Sequence, residues 1–289
     1  MAMKNSDFAV FILTHGRADN VITYHTLRRS GYTGKIYLVI DNEDKTAEKY
    51  RELYGEDVIM FDKKAVADTV DEGDNFDDRR VIIHARNACF EIAKKNGVTY
   101  FIQLDDDYGQ FKFRINHENS YPSDRYLIKT QLDNIFDLLL DFYKSANFLS
   151  IAMSQGGDWI GGSESSFTKY PMKRKCMNSF ICSTDRAFQF VGRVNEDVNT
   201  YTTLGGSGKL LATIPFVALD QLQTQSNSGG MTDIYLESGT YIKSFYTVMY
   251  SPSCTTIRMM GNKNRRLHHS INWNNAVPVI LSEQHRKLN

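Results

Sequence analysis

The first hundred residues predict an α/β domain. Apolar runs of strand length alternate there with segments whose apolar residues recur at helical spacing, and this order implies a mainly parallel sheet with helices on both faces. The apolar runs are followed by polar clusters, and ligands in open α/β sheets bind beyond the carboxyl ends of the strands. With 289 residues, 42% hydrophobic and 12% aromatic, the chain has enough apolar surface for one large core.

The elements follow from the pattern in order. Phe8–Leu13 (FAVFIL) is a continuous apolar run, as a strand covered on both faces would be. Asp19 is placed to cap a helix carrying Val21, Tyr24 and Leu27, closed by Gly31. Ile36–Ile40 is a second buried strand, a helix runs from about Lys45 to Tyr54 and stops at Gly55, and Val58–Phe61 is a third strand. From Val81, apolar residues at 81, 85, 88, 89 and 92 draw one helix face that ends at Gly97, and Tyr100–Leu104 is the fourth strand. Beyond it the pattern loosens. Ile128, Leu132, Ile135, Phe136, Leu139, Phe142 and Tyr143 predict a long amphipathic helix, and Phe148–Met153 a strand before a glycine- and serine-rich loop at Gln155–Ser166. A last helix is expected over Tyr241–Met249, ahead of Pro252. No repeat or linker divides the chain, so one domain over 1–289 is expected, with a ligand-binding half at 1–110 and a second half at 111–289.

Charge is balanced, 34 Lys+Arg against 34 Asp+Glu, which excludes a generic polycation: nucleic acid would have to be held by a local patch. Asp41–Asp78 carries 14 acids and five bases, whereas Thr255–Asn289 carries six bases, one acid and three histidines. Lys169, Lys173, Arg174 and Lys175 form another basic knot. A charge run is ordinarily a solvated face, but two basic clusters flanking a site point toward a polyanionic acceptor. No stretch approaches the roughly 18 apolar residues that span a bilayer. The N-terminal residues MAMKNSDFAVFIL do not read as a secretory leader. Cys89, Cys176, Cys182 and Cys254 lack C-x-x-C spacing, so reduced thiols in a cytoplasmic protein are expected.

The strongest chemical signal is Asp105-Asp106-Asp107, directly after an apolar strand. On an extended segment the first and third carboxylates point the same way. Their mutual repulsion is relieved by a hard divalent cation, Mg²⁺ or Mn²⁺, of the kind that bridges carboxylates to phosphates. The plainer reading is an acidic turn that caps the next segment.

With this D-x-D motif the sequence resembles glycosyltransferases of the GT-A fold, and companion motifs follow in the expected order. The resemblance implies a donor site built from Thr14, His15 and Arg17 after the first strand, Asp41 and Asn42 after the second, Arg86 on the helix before the motif, and Asp105 and Asp106 themselves. Arg86, off the apolar stripe, would pair with a diphosphate, or else form a surface salt bridge. Asp105 and Asp107 would hold the metal, closed by a late histidine, His268 or His269. Adjacent residues rarely point the same way, so only one of the two is expected to serve. Asn195-Glu196-Asp197-Val198 resembles the acidic pair at the start of the acceptor-side helix, where one carboxylate deprotonates the acceptor. Asp197 is favoured for that role over Glu196, and helix capping is the alternative. Arg265 and Arg266 would bind the diphosphate or a DNA phosphate.

Taken together, F-I-L-T-H-G-R, L-D-D-D-Y-G, N-E-D-V and R-L-H-H-S-I-N-W resemble the TET-associated glycosyltransferases, a phage-dominated group similar to the base J glucosyltransferase of kinetoplastids. The resemblance implies a Mn²⁺- or Mg²⁺-dependent enzyme. It would move a sugar from a nucleotide sugar, UDP-linked, to the hydroxymethyl of 5-hydroxymethylcytosine or 5-hydroxymethyluracil in phage DNA, in the host cytoplasm. A base buried in a duplex must be flipped to react. Trp159 or Trp273 would stack on it, or else pack against the protein, with Lys173, Arg174 and Lys175 on the acceptor strand. The acidic pair leans toward inversion.

Three rival readings share these residues: a glycosyltransferase acting on protein or surface glycan, a sugar-phosphate nucleotidyltransferase, and a non-catalytic DNA- or nucleotide-binding module. Two decoys fall away. Gly205-Gly206-Ser207-Gly208-Lys209-Leu210 is no phosphate loop, because Thr203 and Leu210 stand where glycine and Ser/Thr are needed. Asp71–Asp78 is no EF-hand, because Phe76 stands at its glycine position, and a mobile acidic loop is expected instead.

Overall fold

The computed structural model describes residues 4–74, 76, 78–115, 126–155, 173–221, 242–261 and 265–286. Strand β1 (Phe8–Leu13) is buried throughout and lies between β2 (Lys35–Asp41) and β4 (Tyr100–Asp105), parallel to both. Beyond β2 lies β3 (Val58–Phe61), again parallel. On the far side of β4 follow β8 (Ser179–Ser183), β7 (Ser150–Gln155), β9 (Leu211–Gln221), β5 (Tyr108–Phe113) and the short β6 (Tyr126–Leu127). All of these strands but β5 and β8 run in one direction. The expected mixed, mainly parallel sheet is thus the one observed.

Alternate residues of β1 feed the two cores. Phe8, Val10 and Ile12 pack with Leu27 of α1 (Ile22–Arg29), Tyr50 of α2 (Ala47–Tyr54), and Leu132, Phe136 and Tyr143 of α5 (Leu132–Ser145). Ala9, Phe11 and Leu13 pack with Ile83, Cys89, Phe90 and Ile92 of α4 (Ile83–Lys95), and with Val198 and Tyr201 of α6 (Glu196–Gly206). Helices therefore cover both faces. A short α3 (Lys63–Ala67) follows β3, α7 spans 242–250, and α8 (Trp273–Ala276) follows a separate two-stranded ribbon of β10 (Thr255–Met260) and β11 (Arg266–Ile271).

Several expectations are corrected. Asp19 caps nothing: it lies in a 3-10 turn and pairs with Lys49, while α1 begins after Val21 without a side-chain cap. Ile128 belongs to the extended segment before α5, its amide bonded to the Phe111 carbonyl. Strand β11, which carries Arg266, His268 and His269, was not expected. The described part of the acidic loop is tied down: the Arg193 amide donates to the Glu72 carbonyl, and its guanidinium lies 2.9 Å from Asp74. Strand β9 was not expected. Pro215 interrupts it and cannot donate to a ladder, and the pairing with β7 slips there, from Met153↔Ile214 to Ser154↔Ala218. The Gln155–Ser166 loop lies outside the described residues beyond Gln155.

Among the described residues, no helix is long and apolar enough to cross a membrane. The glycine run at 205–208 ends α6. A Cβ on Gly205 would stand 2.1 Å from the Ala276 carbonyl oxygen, so this glycine serves close packing rather than phosphate binding.

Candidate active site

The carboxyl ends of β1, β2 and β4 bring their polar clusters together. After β1 the chain turns at Gly16, whose φ of +70° suits glycine and whose amide donates to Asp44 at 2.7 Å. Thr14 donates its hydroxyl to Asp106 at 2.7 Å, and Arg17 Nη1 donates to the other Asp106 oxygen at 2.9 Å. Asp106 is therefore buried and engaged through both oxygens by the β1 loop, rather than turned toward a ligand. Burial raises its pKa against the pull of Arg17. The Tyr50 hydroxyl completes this knot, 2.7 Å from the Thr14 hydroxyl and accepting the Arg17 amide.

Asp41, at the end of β2, is likewise committed. Its Oδ2 lies 2.7 Å from His15 Nδ1 and 3.2 Å from Nζ of the buried Lys63. Burial works against its charge, but His15 and Lys63 win and hold its pKa low; the Asp41 hydrogen bond in turn raises that of His15. The His15 side chain keeps 47% of its surface exposed. Asn42 is exposed and accepts the Lys63 amide through its side-chain oxygen at 3.0 Å.

Asp105 ends β4, and Asp106 and Asp107 form the turn into β5, so the triad is bent rather than extended. Arg86 lies beneath it, 1% exposed, giving Nη2 to Asp105 at 3.1 Å and Nε to Glu196 at 2.9 Å, with Phe180 and Phe190 against its guanidinium. Nη1 is buried without a hydrogen-bond partner among the described residues. Burial disfavours the guanidinium charge, but Asp105 and Glu196 outweigh it and keep the group protonated. The surface salt bridge weighed for Arg86 is thus excluded: it is an internal bridge between β4 and α6. Burial raises the pKa of Asp105 and of Glu196, with Arg86 opposing it in each. Burial, then the charges of Asp105 and Asp106, push Asp107 up to about 7. Its Oδ2 accepts from Gln221 at 3.3 Å, while Oδ1 is buried with no hydrogen-bond partner among the described residues.

Glu196 and Asp197 open α6, both buried. Asn195 before them adopts φ 58°, a left-handed conformation that asparagine tolerates, and its side chain donates to the Lys243 carbonyl at 2.7 Å. Asp197 Oδ1 accepts the Val198 amide at 2.8 Å, and the Asp197 charge reaches Asp105 and His269. The acids of the β4 turn and those that open α6 thus share one electrostatic environment.

The expected histidines stand on β11. His269 Nδ1 is 3.4 Å from the Asn195 side chain, beside the acid pair, and burial followed by His268 pushes its pKa down to about 4. Burial also lowers His268, assisted by Arg266, Lys243 and Lys175. Among the described residues no group of three His, Cys, Asp or Glu side chains is gathered tightly enough to hold a metal, so neither histidine closes a shell with Asp105 and Asp107 here. Asp107 nevertheless fits a hard cation: it is an oxygen donor with one buried oxygen unpaired and an elevated pKa.

Of the residues expected on the acceptor side, some lie near one another. Lys173 reaches Asn274 at 2.8 Å, and the Lys175 carbonyl accepts from Thr213 at 2.6 Å. Arg174 bears electrostatically on Tyr201. Trp273 stacks on Tyr201 with centroids 5.5 Å apart, so one indole face is packed against the protein. Arg265 is exposed next to β11, and Trp159 lies outside the described residues. Sequence reading missed Tyr50, Lys63, Tyr108, Gln221 and Lys243. Tyr108 donates to the Asn178 carbonyl at 2.5 Å and stands 3.4 Å from Asp105, and its place two residues past Asp106 was the available signal.

At the strand ends of this α/β sheet an acidic turn is thus linked internally, through Arg86, to a second acidic pair. The sequence profile of the TET-Associated Glycosyltransferases matches residues 8–230. The chain belongs to this family. No protein of curated function matches the sequence. Among solved structures, it is similar to the mannosyltransferase PcManGT from Pyrobaculum calidifontis, in complex with GDP-Man and Mn²⁺, at 12% identity and a TM-score of 0.46, covering 76% of this chain and 58% of that one. It is also similar to S. aureus TarS 1-349 in complex with UDP-GlcNAc, at 10% identity and a TM-score of 0.44, covering 79% of this chain and 63% of that one. The chain thus spans about six-tenths of the length of these structures.

Proposed function

We propose that this protein is a glycosyltransferase that moves a sugar from a UDP-sugar to the hydroxymethyl group of 5-hydroxymethylcytosine or 5-hydroxymethyluracil in DNA, with Mn²⁺ or Mg²⁺. The observation that carries the reading is the Arg86 bridge, which ties Asp105 to Glu196 and so sets the D-x-D turn beside the acidic pair. Asp107, with Asp105, would hold the metal, which when bound supplies positive charge to the leaving diphosphate. His15, exposed beside Asp41, and Asn42 present polar groups to the nucleotide from the β1 and β2 ends. Arg17, engaged with Asp106, orders the loop between them.

Glu196 is bonded to Arg86, which leaves Asp197 as the base that takes the proton from the acceptor hydroxyl. Breaking the anomeric bond builds oxocarbenium character, and a base reserved for the acceptor hydroxyl supports inversion. Lys173, Arg174 and Lys175 supply cations on the acceptor side.

The test is to incubate the protein with Mn²⁺, a panel of nucleotide sugars, and DNA containing cytosine, 5-hydroxymethylcytosine or 5-hydroxymethyluracil, then weigh the nucleosides. A sugar increment confined to a hydroxymethylated base is expected. Donor cleavage without any DNA increment would discard the acceptor in favour of protein or glycan. Pyrophosphate release from a nucleoside triphosphate and a sugar phosphate would mark a nucleotidyltransferase.

A further inference from the structure

We propose that the β10–β11 ribbon grips duplex DNA next to the acid pair, its outer face on the phosphates and its methionine-bearing end against the base stack. This rests on the DNA reading above. The antiparallel register pairs Arg258 with His268 and Met260 with Arg266, and strand alternation gathers Thr256, Arg258, Met260, Arg266, His268 and Ser270 on one face. The other face lies on the protein. Ile271 packs against the second core, the Leu267 carbonyl accepts from Ser244 at 3.0 Å, and His269 stands beside Asn195. The ribbon base is thus anchored to the residue that precedes Glu196 and Asp197.

Toward the turn, the described residues of the ribbon are exposed. Met259 is 61% and Met260 41% exposed although they belong to opposite faces, and Arg258 and Arg266 are exposed too. The described residues of the ribbon, 255–261 and 265–271, contribute Arg258, Arg265 and Arg266 and no acid, within a chain of zero net charge. Concentrated cation on a slim two-stranded element complements a polyanion. Two-stranded ribbons enter the grooves of duplex DNA, and guanidinium forks suit phosphate. Bare methionines at the end match the apolar wedges that unstack bases. Unstacking is the step that must precede reaction at a base in a duplex. An acidic polypeptide would satisfy the charge but give the methionines no such work.

The experiment uses the full chain and a fluorescent duplex carrying one hydroxymethylated base, with binding followed by anisotropy across salt concentrations. Arg258→Glu is expected to weaken binding at least tenfold, Arg258→Ala to lower the salt slope by about 0.9, and Arg258→Lys to restore most of the affinity. Mn²⁺-dependent cleavage of the donor alone should be unchanged in all three. Met259→Ser with Met260→Ser should reduce transfer to the duplex while sparing transfer to the same base in a single strand, where nothing needs unstacking. Wild-type DNA modification with Arg258→Glu binding and modifying as well as wild type would overturn the ribbon proposal and leave the DNA reading standing. Equal loss on duplex and single strand in the methionine pair would overturn the wedge. A wild-type protein that binds and modifies no DNA, yet cleaves its donor, would overturn both.

Discussion

Replacing Arg86 by methionine removes the cation shared by the buried Glu196 and the largely buried Asp105. Arg86 is 1% exposed, and its bonds of 3.1 Å to Asp105 and 2.9 Å to Glu196 leave neither acid another cation in hydrogen-bond contact among the described residues. Removing one partner of a buried ionic group costs about 3–5 kcal/mol, and two stranded acids place this case at the upper end. The cost depends on pH. Burial already raises both acids above their ordinary range, and without Arg86 they rise further. The folded variant then binds more protons than the unfolded chain between the unfolded and folded pKa values, so it loses stability as pH rises through that interval. Guanidinium unfolding followed by circular dichroism should show a loss of about 5 kcal/mol at pH 8 and a clearly smaller one at pH 5. Glu196→Gln in the same chain should recover part of the loss. Equal stability of Arg86→Met and wild type at pH 8 would refute the bridge, and a loss independent of pH would refute its electrostatic origin.

Asp107→Asn tests the cost of the acidic turn. At pH 8 the carboxylate is ionised against burial and its neighbours, which push its pKa up to about 7. Neutralising it should stabilise the metal-free protein by about 2 kcal/mol while abolishing the thermal shift that Mn²⁺ gives the wild type; a destabilised variant that still responds to Mn²⁺ would contradict the assignment. His15→Gln tests the loop pair. The Asp41 bond raises the His15 pKa, so its stabilisation is complete below the unfolded pKa of about 6.5 and fades as pH rises through the folded value. The urea midpoint of wild type should therefore exceed that of His15→Gln more at pH 5.5 than at pH 8, and the opposite trend would break the pairing.

What the sequence revealed depended on how local the cause was. Strands β1 to β4 are continuous apolar runs, legible because a doubly covered strand needs apolar side chains on both faces. Strand β9 hid behind Pro215 and its register slip, and the start of α1 was misread because Asp19 has a distant partner in Lys49. At the site, Asp105-Asp106-Asp107 was visible as a cluster, but the division of labour within it was not. That Asp106 is held by Thr14 and Arg17, some 90 residues earlier, is decided by strand order. Arg86 was misjudged because its partners, Asp105 on β4 and Glu196 at the start of α6, are brought to it by tertiary packing, and no local pattern on α4 reports them.

The central claim is that the acidic turn and the acidic pair form one centre with separate duties, and Asp197→Asn tests it most directly. Asparagine keeps the oxygen that accepts the Val198 amide at 2.8 Å and removes only the base. With Mn²⁺, UDP-sugar and DNA containing 5-hydroxymethylcytosine, nucleoside masses should show a sugar increment for wild type. Asp197→Asn should lose at least a hundredfold in transfer while binding the donor as wild type does. Transfer at the wild-type rate by Asp197→Asn would contradict the account.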